Sequence, residues 1–199
     1  MGATEQEVFV EADRALTGVI DQITPDQWDL TLPDWFNTGG SDESYTVRTI
    51  VNYHASDESW VPETLAGRTI EEVGDRYDGD LLGEDPKASW HGIVDRATDA
   101  VTSFIDLDRV VHLTYGDFPA REYLWHITSF RVMRAIDLAR ALGVDDQLPE
   151  SLVPAHFAQV APHAEEWRSM GVFGPAIEVA DDAPIQQRLL GLTGRPPVM

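Results

Sequence analysis

The sequence predicts a mainly α protein, and two observations carry that prediction. Apolar residues recur every three to five positions over several long segments, which is the spacing of one face of an α-helix. Proline and glycine stand near the ends of the clearest segment, residues 118–143, with Pro119 at its start and Gly143 at its end. Extended patterning is confined to short pieces of the chain.

Four long helices are expected first, and a less regular segment follows them. Thr46 is a candidate N-cap of the second helix, Gly67 ends it, and Pro62 lies where it could kink or break that helix. The predicted elements are helices at 4–23, 46–66, 86–105 and 118–143, a helix interrupted by Pro154 and Pro162 at 150–169, an extended piece at 177–179, and a last helical turn at 184–192 capped by Asp181 or Asp182. We interpret the chain as one domain, with a helical part at 1–145 and an extension packed on it at 146–199.

Three connections between these helices are expected to be irregular. Residues 25–45 are rich in proline and glycine, and they carry Trp28, Trp35 and Phe36. Such an aromatic loop packs over a site or caps the end of the helices, and both interpretations stay open. Residues 68–86 lack the ligand spacing of a calcium loop and are interpreted as a solvated connection. Apolar and polar residues alternate briefly at 110–115, which predicts a short extended segment before a turn at Gly116.

Composition excludes several classes of function. The chain has no cysteine, which removes disulfides, thiolate nucleophiles and cysteine-based metal sites. A net charge of −21 over 199 residues disfavours nucleic acid and anionic membranes as partners. The sequence has no secretory signal pattern and no long apolar run, so we expect a cytoplasmic protein. Lys87 is the lone lysine, which is typical of a GC-rich genome such as an actinobacterium's or of a salt-adapted surface.

The fourth predicted helix carries polar residues along its apolar stripe. Glu122, His126, Phe130 and Arg134 follow one another at intervals of four, so they share one face of the helix. A charged side chain on a core-facing helix needs a partner, because an unpaired buried charge is costly. His54 lies on the apolar side of the second helix, where a histidine is either a packed core residue or a ligand.

The order of these pieces resembles the DinB superfamily. The pieces are a PDQWDL loop, a TVRTIVNYH helix, a GDRYDGDLLG connection, a third helix, VVHLTYGDFPAREYLWH and IDLARALG, and finally FGPAIEVADDAPIQQRLLGLTGRPP. The nearer likeness is to the group named for the metal-binding N-terminal domain of mycothiol-dependent maleylpyruvate isomerase. The resemblance implies a DinB-like four-helix bundle with a small C-terminal appendage, and it makes mycothiol a cosubstrate at the family level.

The resemblance also implies a metal site in which two of the three expected ligands are substituted. In the family, one histidine of the second helix and an acidic-x-x-x-His pair of the fourth hold a divalent metal such as zinc, nickel or manganese. These positions map onto His54, Phe130 and Arg134, and neither phenylalanine nor arginine can donate a lone pair. A metal bound at all would use His54. Glu122 and His126 have the right spacing for a relocated pair, and His112 could reach the same end.

A fixed cation at the position of the lost metal suggests an anion site. We expect Arg134 to anchor a small anionic molecule, with His54 as acid–base or orienting residue. The alternative is that Arg134 pairs with an interior carboxylate, Asp57 or Asp137, and that Phe130 fills the old site. The predicted substrate-binding residues are Arg134, Phe130, Tyr53, Asp57 and His126. Trp60 and Trp125 are expected in packing or pocket walls.

Three functions therefore compete. The first is a DinB- and maleylpyruvate-isomerase-like protein with a degenerate metal site that binds or acts on a small anion and needs no cofactor. The second is a metal-dependent thiol transferase or isomerase with a relocated ligand set. The third is a non-catalytic small-molecule-binding protein. A homodimer is compatible with such a fold, although no residue of the sequence identifies its surface.

Overall fold

The computed structural model describes residues 4–36 and 45–197 and is mainly helical. The helices are α1 (Glu5–Ile20), α2 (Val47–Leu65), α3 (Ile70–Val73), α4 (Pro86–Ser103), α5 (Ala120–Leu142), α6 (Leu152–Val160), α7 (Ala164–Ser169) and α8 (Ile185–Leu192), and the strands are β1 (Val110–Leu113) and β2 (Gly116–Pro119). The mainly α prediction is confirmed. The assignment of these helices to a DinB-like four-helix bundle stays a prediction.

Local sequence accounts for where the long helices begin and end. Thr4 caps α1 in a capping box with Glu7, and Thr46 caps α2 as predicted. Gly143 ends α5 in the left-handed conformation, with φ of 70°, which suits a residue without a Cβ. Pro62 does not break α2, since the helix continues through it to Leu65.

The long helices bury their apolar faces against one another. α1 packs on α5 and α4, and α4 packs on α2. α6 contacts α1, α5 and α8, and the four helices share one apolar cluster. α5 is buried over much of its circumference, because helices and the C-terminal segment cover several of its faces. Within the described ranges, no helix is both long and apolar enough to cross a membrane.

A β-hairpin replaces the single extended segment expected before α5. β1 and β2 pair antiparallel, with Val110 opposite Pro119 and Leu113 opposite Gly116. The turn therefore falls at residues 114–115, and Gly116 belongs to the second strand. The pattern missed β2 because its four residues, GDFP, include glycine, aspartate and proline, which are rare in strands. The hairpin leads directly into α5.

The irregular segments also differ in detail from their predictions. Residues 177–179 form no strand, although the Ile177 amide donates to the Gly191 carbonyl at 2.9 Å. α8 has Pro184 at its N-cap and no side-chain cap, so the assignment of that role to Asp181 or Asp182 was wrong. The connection at 68–86 contains α3 and buries Leu82, so it is not wholly solvated.

Candidate functional site

His54 and Arg134 meet across the space between α2 and α5. The Arg134 Nε–H donates to His54 Nε2 at 2.8 Å. A guanidinium has no acceptor, so this nitrogen of His54 must offer a lone pair, and a neutral ring then carries its proton on Nδ1. The His54 Nδ1 atom faces Asp57 Oδ2 at 3.9 Å, which is too long for a hydrogen bond. The two residues that the sequence singled out are therefore brought together.

The surroundings of His54 keep its ring neutral. Burial lowers the pKa of His54 well below its usual range, and the charges of Arg134 and Arg131 lower it further. Burial lowers the pKa of Arg134 to about 10, so its guanidinium stays protonated at neutral pH. The pair is thus a fixed cation beside an uncharged acceptor, and not two competing positive charges.

Arg134 lines a cavity of about 370 Å³, which we call the Arg134 cavity. The guanidinium carbon of Arg134 lies 4.6 Å from the centroid of the Phe36 ring, so the aromatic loop contacts this site. A second guanidinium in the wall, that of Arg195, binds Asp137 through two hydrogen bonds of 2.8 and 2.7 Å. The remaining wall is largely apolar and aromatic, with Ile50, Tyr53, Phe130, Met133, Trp167, Met170, Val172 and Phe173.

Tyr53, Phe130 and Asp57 lie beside this pair. Phe130 was expected on the buried stripe, but it is 47% exposed, and Tyr53 is 57% exposed. Both rings line the Arg134 cavity and a neighbouring one of about 470 Å³ that also contains Asp57, which we call the Asp57 cavity. The Asp57 side chain is 37% exposed, and desolvation by the protein around it raises its pKa to about 7.

His126 lies apart from His54. With Glu122, it lines a third cavity of about 620 Å³ near the hairpin and α7, in which His126 Nε2 is 3.8 Å from Glu122 Oε1. The Tyr115 hydroxyl is 3.3 Å from His126 Nδ1. Burial lowers the pKa of His126. His112 lines the Asp57 cavity, and its Nδ1 is 2.8 Å from Asp117 Oδ1. Among the described residues, His54 lines the Arg134 cavity and His126 lines the third cavity.

The described residues contain no group of three histidine, aspartate or glutamate side chains placed to hold a metal ion. His54 has Arg134 on one ring nitrogen and Asp57 near the other, which is one neutral nitrogen donor and one carboxylate. Three protein ligands is the usual minimum for a catalytic zinc. The donor set around His54 therefore does not fit the family's metal site.

A buried charge cluster next to this site was missed by the sequence analysis. Arg131 is 1% exposed, with its Nε 2.6 Å from Asp13 on α1 and its Nη2 2.5 Å from Glu58 on α2. Burial, followed by repulsion from Glu58, raises the pKa of Asp13 well above its usual range, and the Arg131 charge acts in the opposite direction. The cluster joins three helices and has little access to solvent.

A signal for the cluster was present in the sequence. Asp13, Glu58 and Arg131 each stand three or four residues from apolar positions on both sides, and so lie on the buried faces of their helices. A charged residue inside such a face predicts a partner on a facing helix. Arg195 offered no comparable signal, because its approach to Asp137 depends on how the C-terminal segment folds back.

Comparison of the chain with protein-family models, with curated proteins and with solved structures finds no match.

Proposed function

We propose that the protein binds a small carboxylate-bearing molecule in the Arg134 cavity, with Arg134 as the anchor and His54 as the residue that orients it. The observation that carries the proposal is the 2.8 Å bond from Arg134 Nε to His54 Nε2 at the wall of a cavity. That bond and the Phe36 ring fix the plane of the guanidinium. A guanidinium of fixed orientation suits two parallel hydrogen bonds to a carboxylate.

The other walls of the cavity suit the body of such a ligand. A ligand site is usually a mostly apolar cavity in which a few polar groups fix the orientation. Here two arginines, Asp137 and His54 supply the polar groups, and aromatic and aliphatic side chains supply most of the rest. This arrangement favours a small organic acid over an inorganic anion.

The role of His54 follows from its contacts. Its Nε2 lone pair accepts from Arg134, so it is not available as a base while that bond lasts. Its Nδ1–H is oriented towards Asp57. We therefore assign His54 to orientation of the arginine, and we propose no chemical step for it.

Binding of hexanoate tests the proposal. Arg134→Gln removes the charge but keeps a polar side chain, and we expect at least about a tenfold loss of affinity in an NMR titration. Arg121→Gln is the matched control, because Arg121 lies on the same helix but contacts Asp108 and Glu5 at the surface. Wild-type protein with ¹⁵N-labelled arginine adds a measurement without mutation, in which hexanoate shifts the Arg134 Nε resonance. Equal affinities in all three proteins, with no shift at Arg134, would disprove the proposal.

A metal assay on the same preparations tests the competing metal enzyme. The double variant Phe130→Asp with Arg134→His restores the acidic-x-x-x-His pair opposite His54. Under our proposal, elemental analysis finds about one divalent metal per chain in the double variant and none bound stoichiometrically in the wild type. Stoichiometric metal in the wild type would favour the relocated ligand set, and Glu122 and His126 would be the next residues to substitute.

A further inference from the structure

The Arg134 cavity and the Asp57 cavity share one wall but present opposite charges. Tyr53 and Phe130 line both cavities. On one side of these rings the polar wall contains Arg134, and on the other it contains Asp57. We propose that the two cavities together bind one zwitterionic molecule, with its carboxylate at Arg134 and a protonated amine at Asp57. The carboxylate half of this inference rests on the proposed function, and the amine half is new.

The Asp57 cavity has the composition of a site for an organic cation. The aromatic side chains in its wall are Tyr53, Trp60, Tyr115, Tyr123 and Phe130. The faces of aromatic rings attract ammonium groups, and a partly exposed carboxylate adds a charged hydrogen bond. Tyr53, Tyr115 and Phe130 are 57%, 59% and 47% exposed, so three large exposed rings gather at this single cavity. Such a concentration of exposed apolar surface is typical of a binding site.

The other charged groups at this cavity are already engaged. The charged and titratable groups that face Asp57 are Tyr53, His54 and Glu58 on α2, Tyr123, Arg131 and Arg134 on α5, and His112 and Tyr115 on the hairpin. Arg131 is paired with Asp13 and Glu58, and His112 Nδ1 is 2.8 Å from Asp117. The remaining carboxylate therefore sets the charge that a ligand meets in this cavity.

The distance between the two charged groups suits a small molecule. His54 lies between them, with Arg134 Nε 2.8 Å from one ring nitrogen and Asp57 Oδ2 3.9 Å from the other. These two contacts and the width of an imidazole ring place the arginine nitrogen and the carboxylate oxygen at most about 9 Å apart. One short chain between an amine and a carboxylate can span that distance across Tyr53 and Phe130.

Three probes of one chain length separate the two halves of the proposal. We would titrate hexanoate, hexylamine and 6-aminohexanoate into the wild type, Asp57→Asn and Asp95→Asn, and measure affinities by NMR. We expect 6-aminohexanoate to bind the wild type about tenfold more tightly than hexanoate. Asp57→Asn should bring the two affinities close to equality. Asp95 lies on the exposed face of α4, so Asp95→Asn should keep the wild-type ratio.

The pH dependence of the same ratio is a second measurement that needs no variant. Ammonium binding favours the ionised carboxylate, and the pKa of Asp57 is raised to about 7. The preference for 6-aminohexanoate over hexanoate should therefore grow as the pH rises from about 6 to about 8. Asp57→Asn should remove this growth. A ratio that stays constant in the wild type would contradict the role of Asp57.

Each remaining outcome decides between the two proposals. If hexanoate binds at Arg134 as tightly as 6-aminohexanoate, the zwitterion inference fails and the anion site stands. If neither carboxylate binds, the proposed function and the inference fail together. If hexylamine binds as tightly as 6-aminohexanoate and Arg134→Gln changes neither affinity, the Asp57 cavity binds cations alone, and the inference of one bridging ligand is wrong.

Discussion

Arg131 and Arg134 are one turn apart on α5, and the protein uses them in opposite ways. Arg131 is 1% exposed and contacts two carboxylic side chains, Asp13 and Glu58. Arg134 lines a cavity and donates to a neutral imidazole. The neighbouring carboxylates raise the pKa of Arg131 although burial alone lowers it, whereas for Arg134 burial prevails and lowers the pKa to about 10. Residue type and helix therefore do not set the role of an arginine; its partners and its access to solvent do.

The comparison separates a structural cation from a binding one. A buried ion pair contributes little net stability over an apolar replacement, but loss of one partner leaves a buried charge without compensation. A cation at a cavity wall faces space that a ligand can enter, so its substitution changes binding more than folding. The predictions below test that division, in order of decreasing effect.

Replacement of Arg131 should have the largest effect. Arg131→Met leaves Asp13 and Glu58 buried without their cation, and we expect about 3–5 kcal/mol lower free energy of unfolding at neutral pH. Urea denaturation followed by circular dichroism measures it. Arg134→Met is the matched control on the same helix, and its loss should be clearly smaller, since Arg134 lines a cavity instead of a closed cluster. Equal losses for the two variants would show that Arg131 and Arg134 contribute alike to stability.

The comparison extends to a histidine, because His156 is as buried as Arg131 but has no hydrogen-bond partner among the described residues. It is fully buried, neither ring nitrogen has a hydrogen-bond partner in the described part of the chain, and burial lowers its pKa to about 3. Between about pH 6.5 and 3, His156 therefore binds a proton in the unfolded state but not in the folded state. The free energy of unfolding should therefore fall on acidification by about 1.4 kcal/mol per pH unit from this group alone.

Substitution of His156 by an apolar residue of similar size isolates that contribution. His156→Leu should leave stability at neutral pH unchanged or slightly higher, and at about pH 4.5 it should be about 2–3 kcal/mol more stable than the wild type. His163→Leu, at a half-exposed surface histidine, is the control and should keep the wild-type pH dependence. Denaturation at several pH values measures both. An unchanged acid dependence in His156→Leu would show that the pKa of His156 is the same in the folded and unfolded states.

A substitution in the wall of the Arg134 cavity should weaken ligand binding without disturbing the buried charge cluster around Arg131. Gly194 has φ of 78°, and a Cβ at this residue would lie 2.7 Å from the backbone of Gly174. Gly194→Ala should cost about 1–3 kcal/mol and displace Arg195 and Phe173 from the Arg134 cavity, which weakens hexanoate binding. Gly18→Ala is the control, because that added methyl meets no atom within 4 Å and should be neutral or stabilising. Unaltered hexanoate affinity in Gly194→Ala would mean that this wall does not contribute to binding.

The sequence was most informative for features that depend on residues within one or two helical turns. The helical pattern predicted the four long helices, Thr46 as a cap and Gly143 as an end, since these features depend on residues within one turn. The family resemblance, and not the helical pattern, predicted that His54 and Arg134 would face the same space. The pattern put Phe130 on the apolar stripe, because a stripe defined by apolar residues alone passes over the charged Arg131 that occupies the buried face.

What the sequence determined by itself was the helical character, the positions of the long helices and the acidic surface, because spacing, caps and composition act locally. Only the tertiary structure decided which polar residues became partners. Asp13 and Arg131 are 118 positions apart, Arg134 and His54 are 80 apart, and Asp137 and Arg195 are 58 apart. No local rule selects such pairs, since each depends on how α1, α2 and the C-terminal segment pack on α5. The site and its proposed ligand therefore follow from that packing.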